Sequence, residues 1–210
     1  MKKYIEKLHF ITHDLAHYPH VEQVQVACEA GAKWIQYRCL SKADDELLKD
    51  IHQIAAVCDD WGATLIVTNH IHLKEKADIQ GFHIEDMETD FIAIRNQIGE
   101  EYTLGGSANT IENLIRLAHQ GVDYAGLGPF KTTTTKPNNS PLLGIQGYQN
   151  AMEHLTNAKI ELPVLAVGGV TLTDVEPLLK TGIYGIAASS AINQSQNLYE
   201  AYQDFYRLIV

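Results

Sequence analysis

The sequence predicts an α/β protein, a single-domain (β/α)8 TIM barrel over residues 1–210. Three observations carry that expectation. Short apolar or β-branched runs alternate with longer amphipathic ones along the whole chain. Eight such units fit into 210 residues, which suits a compact barrel. The first run is followed by ITHDLAHYPH rather than by GxGxxG, which argues against an open doubly wound sheet.

The strand candidates are LHFIT (8–12), KWIQYR (33–38), TLIVT (64–68), GFHI (81–84), YTLGG (102–106), YAGLG (124–128), PVLAVG (163–168) and YGIAAS (184–189). Their near-continuous apolar character is that of parallel strands buried on both faces. Between them, Leu47, Leu48, Ile51, Ile54, Ala55 and Cys58 follow helical spacing over 43–60, with Gly62 just beyond. NTIENLIRLAHQG pairs a capping Asn109 with Glu112 and ends at Gly121. TDVEPLLKTG repeats that pattern from Thr173 to Gly182, and 144–158 and 195–208 are further helices.

A formal net charge of −10 argues against non-specific nucleic-acid binding and attraction to anionic membranes, since both need basic excess. The odd set Cys28, Cys39 and Cys58 contains no CxxC and reads as reduced thiols. With no signal peptide and no membrane-length apolar run, a cytoplasmic protein is expected. Oligomeric state is left open, and a homo-oligomer is compatible with the sequence. His13, His17 and His20, after the first strand, are expected to face water.

Barrel chemistry collects where strands end, with phosphate often held after the last two. Gly168 and Gly169 follow the seventh strand; Ser189 and Ser190 follow the eighth, just before the last helix. A glycine pair admits a phosphate to the backbone, and serines with a helix N-terminus supply donors and partial positive charge. Singly, these residues suit a tight turn and a cap; together they point to phosphate. Gln36 and Arg38 share one face of the second strand, and Arg38 with Lys136 adds fixed charge to the rim. Glu85, Asp86 and Glu88 follow the fourth strand, either as a solvated loop or as ligands for Mg2+ on a polyphosphate. A monophosphate place beside a polyphosphate place suits a transferase joining a phosphorylated acceptor to a pyrophosphate-activated donor. Its partners would be small phosphorylated molecules.

WIQYR, TN at 68–69, GFHI, GGSANT, DYAGLGPFKTTTTK, AVGGV and SSAI, in that order, resemble the thiamine phosphate synthase family over nearly the whole chain. The resemblance implies condensation of hydroxymethylpyrimidine pyrophosphate with thiazole phosphate, through a dissociative transition state. It implies Arg38, Lys136 and Ser107 as catalytic residues. Gln36, Arg38, Asn69 and Ser107 would hold the pyrimidine pyrophosphate, and Lys136 the leaving pyrophosphate. Thr133 and Thr135 would line the thiazole side, with Gly169, Ser189 and Ser190 on its phosphate. The sequence departs from the family twice: Leu40 replaces a lysine, and His70 an aspartate that binds Mg2+. The second metal carboxylate falls on Glu88, or on Asp86 after a local slip. Weakened magnesium dependence is therefore expected, unless Lys42, Asp86 and Glu88 compensate. Two other readings remain: a thiazole tautomerase-like isomerase, whose base position here is Asn109, and a non-catalytic binder of thiamine precursors.

Overall fold

The structure, a computed structural model, describes residues 3–15, 17–133 and 140–210. Eight strands close into one parallel barrel in sequence order: β1 (Leu8–Ile11), β2 (Trp34–Tyr37), β3 (Thr64–Thr68), β4 (Gly81–Ile84), β5 (Thr103–Ala108), β6 (Tyr124–Leu127), β7 (Val164–Val167) and β8 (Gly185–Ala188). β1 pairs with β8 through Leu8↔Ile186 and Phe10↔Ala188, which completes the ring.

The helices are α1 (His20–Glu29), α2 (Asp44–Trp61), α3 (Phe91–Ile98), α4 (Ile111–His119), α5 (Gly144–Asn157), α6 (Val175–Leu179), α7 (Ser190–Asn193) and α8 (Leu198–Ile209). Only a 3₁₀ turn, Ile71–Leu73, bridges β3 and β4. α1 buries Val24, Ala27 and Cys28, and α3 buries Phe91 and Ile98 with Ile94 against the core; polar residues on the inner face of α1 and apolar ones on the outer face of α3 obscure these stripes in the sequence, which marks no helix there. None of the described helices is long and apolar enough to cross a membrane.

Strand alternation divides the core into two compartments. Leu8, Phe10, Ile35, Leu65, Val67, Phe82 and Leu104 pack outward against the helices. Ile11, Trp34, Ile66, Tyr124, Leu165 and Ala187 fill the barrel interior. Gly105 on β5 gives the Tyr124 ring its room, since a methyl group there would overlap it.

Two helix caps differ from the sequence expectation. Thr110, not Asn109, caps α4 by accepting the Asn113 N–H at 3.1 Å. The capping box before α6 is Thr171 with Asp174, two residues ahead of Thr173. The last helix begins at Leu198, so Ser189 stands at the N-cap and Ser190 at the first position of the single turn of α7 instead. His20 does not face water; it is buried at the start of α1.

Asp174 accepts from the Thr171 N–H at 3.0 Å and from Lys131 Nζ at 2.6 Å. Burial alone would raise its carboxyl, but Lys131 and Thr171 outweigh that and hold it below its ordinary 3.8. A depressed folded-state pKa adds stability that is present above the unfolded value and is lost as pH falls through the folded one. Asp174→Asn is expected to cost about 1–2 kcal/mol at pH 7. In urea melts, the gap to the parent should narrow below about pH 4.

Candidate active site

The C-terminal ends of the strands enclose a cavity of about 180 Å³. Its wall repeats the inward parity of the barrel: His9 and Ile11, Gln36 and Arg38, His83 and Glu85, Ser107, Tyr124 and Gly126, Leu165 and Val167, Ala187 and Ser189. Gly168, Gly169 and Ser190 complete one side, and Thr133 stands near them. Seven of the expected site residues thus meet in one cavity: Gln36, Arg38, Ser107, Thr133, Gly169, Ser189 and Ser190. Thr135 and Lys136 lie outside the described residues.

Gly169 sits at φ +71°, and a Cβ there would lie 2.7 Å from the Thr132 carbonyl oxygen. Only glycine allows this turn to bring backbone to the cavity wall. At the end of the neighbouring strand, the Ser189 hydroxyl is buried without a hydrogen-bond partner. An unmatched donor in a cavity wall is costly unless a ligand accepts from it. Because α7 is one turn long, the donors on this side are local groups more than a helix dipole.

On the other side, Arg38 Nε donates to Glu85 Oε1 at 2.8 Å, with side-chain exposures of 9% and 17%. Gln36 Nε2 donates to Thr68 Oγ1 at 3.0 Å. Asn69 is not part of the lining. It takes φ 64°, and its Oδ1 accepts the Glu85 N–H at 3.0 Å, which sets the β4 exit so that Glu85 meets Arg38.

The floor holds a relay that sequence reasoning did not assemble. Tyr124 Oη lies 3.1 Å from His83 Nδ1, and His83 Nε2 lies 3.0 Å from Ser107 Oγ. Burial pushes the Tyr124 phenol up, so it keeps its proton. A phenol that donates to Nδ1 sets the imidazole hydrogen on Nε2, facing Ser107. The Ser107 O–H is then left to donate into the cavity. Below, His9 stacks on Trp34 with centroids 4.4 Å apart, and neither His9 nitrogen has a hydrogen-bond partner. Burial first, then His83, drives the His9 pKa well below its ordinary value, so the ring stays neutral. The signal for these residues was parity: polar residues at inward positions of otherwise apolar strands.

The departures from the family can also be placed. Leu40 is 61% exposed. Lys42 does not take over the missing charge, because its ammonium binds Asp50 Oδ2 on α2 at 2.6 Å. His70 is half-buried beside His72 and Asp44, outside the cavity lining. Burial and His72 lower its pKa against the opposing pull of Asp44. Glu88 and Asp86 are exposed and not in the lining. Glu85 is the one carboxylate among the described lining residues, and Arg38 holds it. The described lining therefore offers Mg2+ one carboxylate, already engaged by Arg38, so most of an octahedral oxygen set would have to come from water and substrate phosphates.

A closed eight-stranded parallel barrel, with glycines, serines and a buried arginine lining one cavity at its strand ends, defines a (β/α)8 barrel protein of the kind that works at that face. The sequence profile described as thiamine monophosphate synthase matches residues 8–192. Thiamine-phosphate synthase of Bacteroides thetaiotaomicron is 37% identical over 190 residues, covering 90% of this chain and 91% of that one. Its counterpart from Bacteroides fragilis is 38% identical over 194 residues, with 92% and 95% covered. The chain belongs to the thiamine monophosphate synthase family. In fold it is similar to thiamine phosphate pyrophosphorylase from Pyrococcus furiosus, with a TM-score of 0.84 at 24% identity over 97% and 95% of the two chains.

Proposed function

We propose that this chain is a thiamine-phosphate synthase, joining hydroxymethylpyrimidine pyrophosphate to thiazole phosphate. The observation that carries this reading is the single cavity with Arg38 on one wall and Gly168, Gly169, Ser189 and Ser190 on the other. The bond from the pyrimidine methylene carbon to oxygen breaks, and pyrophosphate leaves with the electron pair. The thiazole nitrogen gives its lone pair to that carbon, forming the new carbon–nitrogen bond of thiamine phosphate. No proton transfer is needed for balance.

The protein's part is therefore positioning and charge stabilisation. Arg38 meets the negative charge that grows on the leaving pyrophosphate, exchanging Glu85 for phosphate oxygens in the same bidentate mode. The Ser107 hydroxyl, oriented by His83 and Tyr124, and Gln36 hold the pyrimidine side. Gly169, Ser189, Ser190 and Thr133 hold the thiazole phosphate, and the apolar lining keeps water from the cation. Lys136 and Thr135 belong to the same assignment through the family motif. Asn109 donates to Ser140 Oγ at 2.8 Å and offers no base, so no observation favours the isomerase reading.

Pyrophosphate release that requires both substrates is the expected assay result; no release with both present would overturn the proposal. With His70 in place of the family aspartate, and Glu88 exposed, added Mg2+ is expected to change turnover by less than about tenfold. His70→Asp should steepen that response, measured by titrating Mg2+ at fixed substrates.

A further inference from the structure

Asp14, His20 and Cys39 form a second chemical cluster, on the outer side of the barrel wall. Their ligand atoms all lie within 4.8 Å of one another. They come from three segments: the loop after β1, the first residue of α1 and the exit of β2. Strand parity explains the placement. Gln36 and Arg38 turn into the cavity, so Tyr37 and Cys39 turn out toward the helices, where both belong to the outer core. None of the three cluster residues lines the cavity.

We propose that Asp14, His20 and Cys39 bind a zinc-class transition metal ion, Zn2+ being the best match. A thiolate, an imidazole and a carboxylate form a donor set for borderline-soft ions and a poor one for Mg2+. Charge agrees, since thiolate and carboxylate together carry the two negative charges that a divalent ion neutralises.

A further observation points to a ligand here. His20 is 5% exposed; its Nε2 lies 2.9 Å from Asp14 Oδ1, while its Nδ1 is buried without any hydrogen-bond partner. Such a ring is poorly matched by its surroundings as a hydrogen-bonding group alone. The surrounding groups are arranged as an outer shell. The Leu40 N–H donates to Asp14 Oδ2 at 2.9 Å, Ser41 Oγ donates to Asp14 Oδ1 at 3.2 Å, and Tyr37 packs edge-on against the His20 ring at 5.1 Å. Asp14, with 29% of its side chain exposed, gives the ion an entry path, and water completes the coordination. The ion would tie the β2 exit, which begins at Arg38, to the start of α1. The proposal does not depend on which reaction the cavity performs.

The test is titration of reduced, chelator-treated protein with Zn2+ and with Co2+. One equivalent should bind per chain, and the Co2+ complex should show thiolate-to-cobalt charge-transfer absorption in the near ultraviolet. Cys39→Ser should lose that absorption and bind Zn2+ at least about tenfold more weakly. Cys28→Ser should keep it, which separates this site from the buried Cys28 and Cys58. Should Cys39→Ser lose its circular dichroism, Asp14→Asn at the surface carries the same test. It should retain the band while weakening Zn2+ at least about tenfold. A parent protein without the band, a band surviving in folded Cys39→Ser, or unchanged affinity in Asp14→Asn would overturn the proposal.

Discussion

Arg38→Met is expected to lower pyrophosphate release by about 10²–10³-fold, the usual loss when a positioned donor to developing negative charge is removed. The side chain is 9% exposed and reaches the cavity wall from β2 with its guanidinium already paired to Glu85. That pairing orients the fork before substrate arrives, so little rotamer entropy is lost on binding. Methionine keeps the length and apolar stem while removing every donor. Arg38→Lys keeps the charge but loses the bidentate geometry, and should recover only part of the rate. The loss should appear in turnover more than in fold. Glu85, at 17% side-chain exposure, loses this partner but keeps some access to water, so urea melts should show a cost of about 1–2 kcal/mol. A variant that turns over normally would mean that pyrophosphate leaves from another part of the rim.

Gly105→Ala should reach the site through packing. A methyl group on β5 would overlap the Tyr124 ring, which is fully buried in the barrel interior and cannot swing into solvent. The ring must shift or the strands must part, which costs about 3 kcal/mol in a close-packed core. Displacing Tyr124 also removes the hydrogen bond that fixes the His83 tautomer, and with it the orientation of the Ser107 hydroxyl. Both readouts should therefore move: the urea midpoint falls, and turnover falls further than in a surface control of equal stability. Gly105→Ala with Tyr124→Leu should regain stability by making room, yet stay slow because the phenol is gone. Full activity in that double variant would separate the relay from the reaction.

The sequence by itself determined the barrel, and its reason is local. Strands buried on both faces must be apolar along their length, and helices between them must carry one apolar stripe, so the alternation is written residue by residue. Strand-end positions and inward parity, which are one-dimensional facts, also marked Gln36, Arg38, Gly169, Ser189 and Ser190, while the family resemblance implied Ser107 and Thr133, and all seven line one cavity. Helix caps were found only to within a residue or two, since several neighbouring Thr, Asn and Asp residues can each reach a free N–H; Asn109 yields the cap to Thr110 because its own side chain turns to Ser140. Tertiary structure alone decided the pairings across strands. Nothing in the order of residues says that Arg38 meets Glu85, that Lys42 is held by Asp50, or that Tyr124, His83 and Ser107 stand in line. The same holds for His20, which sequence assigns to water and which closure of the barrel buries between Asp14 and Cys39. The physical reason is common to all of these: closing the ring brings residues tens of positions apart to within hydrogen-bond distance, and that distance is a property of register, twist and packing rather than of any local pattern.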